Sequence, residues 1–280
     1  MNAASQIRIT QAEKGRTFRA LHERDRAFII PNPWDIGSAR LLAHAGFEAL
    51  ATTSAGYAFS VGKTDNTIRR DEMIAHVASI AAATDLPVNA DLENGYGDSP
   101  KEAAETIRLA GEAGATGGSI EDATGKADQP IYEVAHAADR IRAAAEAARA
   151  LPFTFTLTAR AENYLNGRAD LKDTIKRLQA YQEAGANVLY APGLTSKEDI
   201  AAVVSSVDRP VNVLAGLANA PLTLADLSAL GVKRVSIGSL FSRAAYGAAI
   251  RAANEMRERG TFTFADQAIS FRDLTAIFKT

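Results

Sequence analysis

The chain has 280 residues, of which 47 % are apolar and 23 % charged, with a net charge of −2, a pI near 6.1 and no cysteine. Length and apolar share suffice for a sizeable core. The charge balance leaves no basic footprint for nucleic acid, and the missing cysteines remove disulfides, thiolate metal sites and cysteine nucleophiles. The opening MNAASQIRITQAEKGR has no signal-peptide core and no apolar run is long enough to span a bilayer, so a cytoplasmic protein with neither a nucleic-acid nor a membrane partner is expected.

Residues 6–26 read as an N-terminal helix covering one end of the fold. AFIIPNPWD is the first strand, and brings Asn32, Trp34 and Asp35 to its end. From there two phrases alternate. In one, a helix ends in Ala/Leu-Gly and a short apolar strand begins, as in AGFEALATTS, AGATGGSIED, AGANVLYAPG and LGVKRVSIGS. Glycine fits there because it accepts a left-handed helix cap without steric cost. In the other, DLPVNADLE, ALPFTFTLTAR and DRPVNVLAG, a proline stops the helix and forces extension. The markers run Gly46, Pro87, Gly114, Pro152, Gly185, Pro210, Gly231. Amphipathic, alanine-rich stretches such as DEMIAHVASIAAAT, PKEAAETIRLAGEAG and DLKDTIKRLQAYQEAG fill most intervals. Eight strands alternating with helices predict an α/β fold, a (β/α)8 barrel in one domain spanning residues 1–280. A doubly wound sheet is the alternative, but NPWDIG is a poor glycine fingerprint. Residues 262–280 form a C-terminal helical extension whose apolar face (Phe271, Leu274, Ile277, Phe278) docks on its own barrel or exchanges with a second subunit.

In such a barrel the active site lies at the C-terminal strand ends. The second strand delivers Thr52, Thr53 and Ser54, the third Asp91 and Glu93, and the fourth Glu121 and Asp122. The fifth delivers Arg160 and Glu162, and the last three Tyr190, Asn212 and Ser239. The four histidines (22, 44, 76 and 136) fall in predicted helices, and no lysine ends the sixth strand. A histidine-held zinc, a histidine base and the usual Schiff-base aldolase are therefore disfavoured. Asp91, Glu93 and Glu121 would repel one another at one rim unless a cation joined them, and all-oxygen ligands select Mg2+, with Mn2+ as the alternative. The bland alternative is that each acid caps the next helix. Arg160 either pairs with Glu162 or another acid, or clamps a substrate carboxylate. The small, polar TTSAG turn is either a tight loop or an anion cradle of backbone amides. AGLAN and IGS, after the last two strands, leave a phosphate-binding barrel as a further reading.

The ordered set TTSAG, KTDN, NADLENGYG, SIEDATG and TARAE resembles the isocitrate lyase / phosphoenolpyruvate mutase superfamily, in its shorter 2-methylisocitrate-lyase-like bacterial members. The likeness runs from FIIPNPWD to VSIGS. It implies a carboxylate-held Mg2+ acting on a small 2-oxo or dicarboxylic acid, in a tetramer or dimer with a terminal helix swapped between subunits. It also implies that Asp91 binds the metal, with Glu93 and Glu121 acting directly or through water. Thr53, Ser54 and Ala55 would bind the substrate carboxylate and oxyanion, joined by Asp91, Arg160 and Asn212. Asp65 of KTDN, Glu121 and Arg160 would be catalytic. The chain departs from the family in three places. The loop after the fourth strand, DATGKADQPIYE, has no cysteine acid and no Lys-x-Asn pair. LYAPG lacks the lyases' glutamate, and Glu93 stands where aspartate is usual. The expected reaction is C–C cleavage through an enolate; an oxaloacetate-type hydrolase or decarboxylase, and a non-catalytic 2-oxo-acid binder, are the alternatives.

Overall fold

A computed structural model describes residues 9–217 and 221–279. It contains eight parallel strands: β1 (Phe28–Ile30), β2 (Leu50–Ala51), β3 (Val88–Asp91), β4 (Gly117–Glu121), β5 (Thr156–Arg160), β6 (Val188–Tyr190), β7 (Val211–Leu214) and β8 (Arg234–Ser236). Their order is β1-β8-β7-β6-β5-β4-β3-β2. The sheet is thus a nearly closed TIM-type barrel, with a seam between β1 and β2. Across the seam Ala51 N donates to Pro31 O at 3.0 Å and Asn32 Nδ2 to Thr52 O at 3.1 Å.

Eleven helices surround the described strands: α1 (Gln11–His22), α2 (Ile36–His44), α3 (Ser54–Ser60), α4 (Arg70–Ala82), α5 (Pro100–Glu112), α6 (Val134–Ala150), α7 (Leu171–Glu183), α8 (Lys197–Ser205), α9 (Leu224–Ala229), α10 (Leu240–Arg259) and α11 (Phe271–Phe278). The glycine phrase works as the sequence predicts: Gly46, Gly114, Gly185 and Gly231 all take positive φ, between 85° and 106°, two residues past the end of a helix. Side chains there would be strained, and the reversal aims each following strand back into the barrel.

The N-terminal helix is shorter than the predicted 6–26, of which residues 6–8 lie outside the described part. It begins at a capping box in which Thr10 Oγ1 accepts from Glu13 N and the Glu13 carboxylate accepts from Thr10 N. Phe18 and Leu21 are fully buried, and Gln11 Nε2 donates to Gly111 O (2.7 Å) and Ala115 O (2.9 Å). The helix lies so close to β5 that a side chain at Gly15 would meet Thr154 O. One element was not anticipated: Ser54–Ser60 is a short helix, α3, rather than an extended turn, because Thr53 caps it by accepting from Gly56 N. At the other terminus α11 packs on α2, with Leu274, Ile277 and Phe278 half-buried and Phe271 89 % exposed. No described helix is long and apolar enough to cross a membrane.

Candidate active site

The register carries side chains to the mouth in sequence: Glu121 lies opposite Arg160, Arg160 opposite Tyr190, Tyr190 opposite Asn212, and Asn212 opposite Arg234. All five are inside the barrel, and Arg160 is the hub of the acids. Its Nη1 lies 2.9 Å from Asp91 Oδ1 and 3.0 Å from Glu121 Oε2, and its Nε donates to Glu162 Oε1 at 2.9 Å. Burial opposes the guanidinium charge, but Glu121, Glu162 and Asp91 together hold its pKa well above the ordinary arginine value. The ring of Tyr190 lies 5.3 Å from the guanidinium carbon. Of the two possibilities for Arg160, the ion-pair partner is therefore present, and it is three acids rather than one.

Asp91 is fixed from several sides. Its Oδ2 accepts from Ser54 N (3.0 Å) and Ser54 Oγ (3.1 Å), and its backbone N–H donates to Thr52 Oγ1 (2.8 Å). Two amides of the TTSAG turn are thus engaged internally, Ser54 with Asp91 and Gly56 with Thr53. Glu93 follows at φ 48° and Tyr96 at φ 60°, two strained non-glycine residues in one turn, which is a pattern of functional sites. Glu93 is buried and its Oε1 has no hydrogen-bond partner. Desolvation, then Asp91 and Asp65, push its pKa up to about 8. Glu121 is raised well above the carboxylate range by burial and by Glu162, Asp91 and Glu93, against the pull of Arg160. Asp65, between α3 and α4, is raised by desolvation and by Asp91.

Two cavities adjoin here. The outer, of about 520 Å3, is lined among others by Asp65, Glu93, Tyr96, Glu121 and Glu162. The inner, of about 200 Å3, is lined among others by Thr53, Ser54, Ala55, Asp91, Asn212 and Arg234; Arg160 borders both. Asp65, Glu93, Glu121 and Arg160, with Thr53, Ser54, Ala55, Asp91 and Asn212, the residues that the resemblance implies in catalysis, metal holding and substrate binding, each line one or the other, whereas Trp34, Asp35 and Asp122 line neither. A larger groove of about 820 Å3 lies elsewhere, between α10 and the segment around Phe264. No histidine lines either mouth cavity; His22 and His76 are buried neutral, pushed down to about 3 and about 4 by desolvation.

Other strand-end residues have local duties. Asp35 caps α2 by accepting from Ser38 N at 2.6 Å. Asn32 staples the seam and accepts from Ile237 N at 3.0 Å. Asp122 points away from the mouth, because successive strand residues face opposite sides. It accepts from Tyr181 OH (2.5 Å), Glu162 N (2.8 Å) and Arg177 Nη1 (3.0 Å). Ser239 precedes α10 and lines the inner cavity. The AGLAN stretch runs into residues 218–220, outside the described residues. Sequence reading missed Arg234 and Ser236; their signal was alternation in KRVSIG, which turns both inward from an otherwise apolar strand.

The residues fit a hard divalent cation in charge and donor type. The set is all oxygen, the carboxylates of the mouth outnumber the one arginine they touch, Arg160, and Glu93 Oε1 is buried without a partner. No three acidic or histidine side chains are gathered closely enough to hold a metal by themselves among the described residues. That suits an ion held directly by one acid and otherwise through water.

Comparison with known proteins gives a consistent picture. The family model described as phosphoenolpyruvate phosphomutase matches residues 18–257. An uncharacterised protein of Mycobacterium tuberculosis H37Rv is 35 % identical over 237 residues, 83 % of this chain and 86 % of that one. The 2-methylisocitrate lyase of Escherichia coli K12 is 29 % identical, covering 88 % and 86 %. Among solved structures, a Burkholderia cenocepacia J2315 protein assigned provisionally as a lyase/mutase is 64 % identical, with a TM-score of 0.95 over 96 % of this chain and 97 % of that one. Oxaloacetate acetylhydrolase in complex with its product oxalate is 27 % identical at TM-score 0.85, covering 94 % and 93 %. Phosphonopyruvate hydrolase in complex with oxalate and Mg2+ is 25 % identical at TM-score 0.85, covering 95 % of each chain.

Proposed function

Because the chain belongs to the phosphoenolpyruvate phosphomutase family, whose superfamily acts on 2-oxo acids, we propose that it is a Mg2+-dependent carbon–carbon lyase for a small 2-oxo or 2-hydroxy dicarboxylic acid. The observation that carries this reading is the contact of Arg160 Nη1 with both Asp91 and Glu121. A fork donor set among carboxylates, at the mouth of a barrel, can exchange those partners for a substrate carboxylate once a cation takes over the acids.

Asp91 would hold the cation directly, and Glu93 and Glu121 would hold its water. What the cation supplies is charge, which stabilises the enolate left when the C–C bond breaks. Arg160 orients the substrate by its carboxylate. Thr53, Ser54 and Ala55 close the inner side against the bound head group, and Asn212 reaches it from the opposite wall. Asp65 and Glu121, both shifted toward the neutral form by their surroundings, serve the proton that a hydroxyl or enol oxygen gives up.

An oxaloacetate-type hydrolase or decarboxylase is the second reading. It is favoured by the strand-4 loop, which has no cysteine acid, and by the absence of histidine from the mouth lining. Decarboxylation needs neither: the carboxylate leaves as CO2, the bonding pair stays on the enolate, and solvent supplies one proton. A homodimer or homotetramer is proposed for the assembly. The test is a panel of oxaloacetate, methylisocitrate and phosphonopyruvate with Mg2+ or with EDTA, read for pyruvate, oxalate and CO2. Mg2+-dependent cleavage of a carboxylic acid is expected. Tight binding without turnover would make the protein a 2-oxo-acid binder, and turnover unaffected by EDTA would sink the metal reading.

A further inference from the structure

Beneath the acidic mouth lies a cation that no acid among the described residues neutralises. Arg234, the first residue of β8, is only 3 % exposed. Its Nε donates to Asn212 Oδ1 at 2.9 Å, its Nη2 donates to Thr158 Oγ1 at 3.0 Å, and its Nη1 lies 3.4 Å from His22 Nε2. All three partners are neutral, since burial and Arg234 itself hold His22 uncharged. The other two arginines described at the barrel's acids, Arg160 and Arg177, each touch carboxylates. For Arg234, burial lowers the pKa to about 10 and the only opposing neighbour is Tyr190. The guanidinium nevertheless stays charged at neutral pH. Neutral acceptors orient its fork without cancelling its charge, and a buried charge without a counter-ion is costly. Methionine would fill the same volume at no such cost, so mere plugging of the barrel does not account for an arginine.

Arg234 also lines the inner cavity, whose wall includes Arg160, Asp91 and Ser54. We propose that Arg234 binds the second carboxylate of the substrate, at the floor of the inner cavity, and so makes the site selective for dicarboxylates over 2-oxo monocarboxylates. The inference rests on the reading of the mouth as the 2-oxo-acid end. The head of the ligand engages Arg160 and the acids, and the distal carboxylate points inward rather than toward the loop at residues 123–133. Asn212 then has two tasks, since its Oδ1 aims Arg234 while its Nδ2 donates to Ser236 Oγ at 3.0 Å.

Calorimetric titration of the full chain in Mg2+ tests this with three ligands. Oxalate and pyruvate present only the head group; 3,3-difluorooxaloacetate adds the distal carboxylate. For Arg234→Met we expect roughly 30-fold or greater weakening of 3,3-difluorooxaloacetate, with oxalate and pyruvate altered by less than about 3-fold, the loss usual for a buried charge pair cut on one side. Arg234→Lys, which keeps the charge, should retain the four-carbon ligand to within about 10-fold. Unchanged binding of 3,3-difluorooxaloacetate by Arg234→Met would overturn the proposal. So would equal weakening of all three ligands, in either variant, because that would mean a deformed cavity. Should Arg234→Met not fold, the same comparison is made on Arg234→Lys and Arg234→Gln. If the wild-type protein binds none of the three, the reading of the mouth fails and the role of Arg234 falls with it, whereas wild-type binding that Arg234→Met leaves intact sinks the role of Arg234 alone.

Discussion

Three carboxylates meet one guanidinium at Arg160, and the balance among them sets what each can do. Removing that charge leaves Asp91, Glu121 and Glu162 to repel one another in a poorly solvated space. Arg160→Met should therefore lower stability by about 3–5 kcal/mol in EDTA, the usual cost of uncovering a buried charge. Saturating Mg2+ should narrow the gap between wild type and variant, because the ion replaces the missing counter-charge and binds only the native state. Thermal melts of both proteins in EDTA and in Mg2+ check this, and a gap that Mg2+ leaves unchanged would place the metal elsewhere. The strand-end residues were legible because a parallel barrel collects them at one rim. Their pairings were not. TLTAR shows that an arginine arrives, but whether it meets one acid or three depends on the register between β3, β4 and β5, which no local pattern encodes. Glu121 and Asp122 look alike in sequence, yet the strand period of two turns one to the mouth and buries the other against Arg177 and Tyr181.

The connection from β4 to α6 illustrates what an element adds to its residues. From DATGKADQPIYE one expects a loose flap, having glycine at 125 and no apolar anchor before Pro130. Instead its base is paired: Ala123 bridges Ile131, Thr124 N donates to Pro130 O (2.9 Å), and Tyr132 N donates to Asp122 O (2.8 Å). Asp98, after the NADLENGYG turn, ties it further, accepting from Tyr132 OH (2.6 Å) and Lys126 Nζ (2.7 Å). The exposed lysine pair is worth little; the half-buried tyrosine bond is worth about 1–2 kcal/mol. Asp98→Ala should thus raise amide exchange across residues 123–132 by several-fold to tenfold, without a comparable change in β4 itself. Uniform protection in both proteins, measured by hydrogen-exchange mass spectrometry, would show that the flap is held by other contacts. At this scale the glycine and proline markers foretold the strands, since each acts through its own backbone. The helix α3 was hidden, because SAGYAFS has weak periodicity and its start depends on a threonine cap indistinguishable from a loop residue.

Across the whole molecule the barrel interior is polar where most barrels of this kind are packed with aliphatic side chains. Asn89, Thr158, Asn212, Arg234 and Ser236 are all buried, and His22 of α1 reaches Arg234 from the far end. That placement has a pH signature. His22 has a native pKa near 3 against about 6.5 for a free histidine, so between those values the unfolded chain takes up a proton that the native state refuses. Stability should fall as pH drops from about 6.5 toward 3, at about 1.4 kcal/mol per pH unit from this group alone. His22→Gln should lose about 2 kcal/mol less than wild type between pH 7 and 5. His76 titrates in the same sense and keeps the remaining slope. Urea denaturation at the two pH values, in EDTA, decides it, and parallel losses would mean that His22 is solvated. The seam in the barrel has a consequence of another kind, for the order in which the chain is born. β1 has no ladder with β2 and pairs with β8 alone, Phe28 opposite Arg234. During synthesis, the first strand to leave the ribosome therefore finds its one ladder partner only when the last emerges, and until then Phe28 and Ile30 have only Phe18 and Leu21 of α1 and Ala49 and Ala51 at β2 to pack on. Ring closure, and with it the meeting of Arg234, Asn212 and His22, therefore has to await β8, the last strand of the chain. The floor of the inner cavity is thus finished only after its acidic rim.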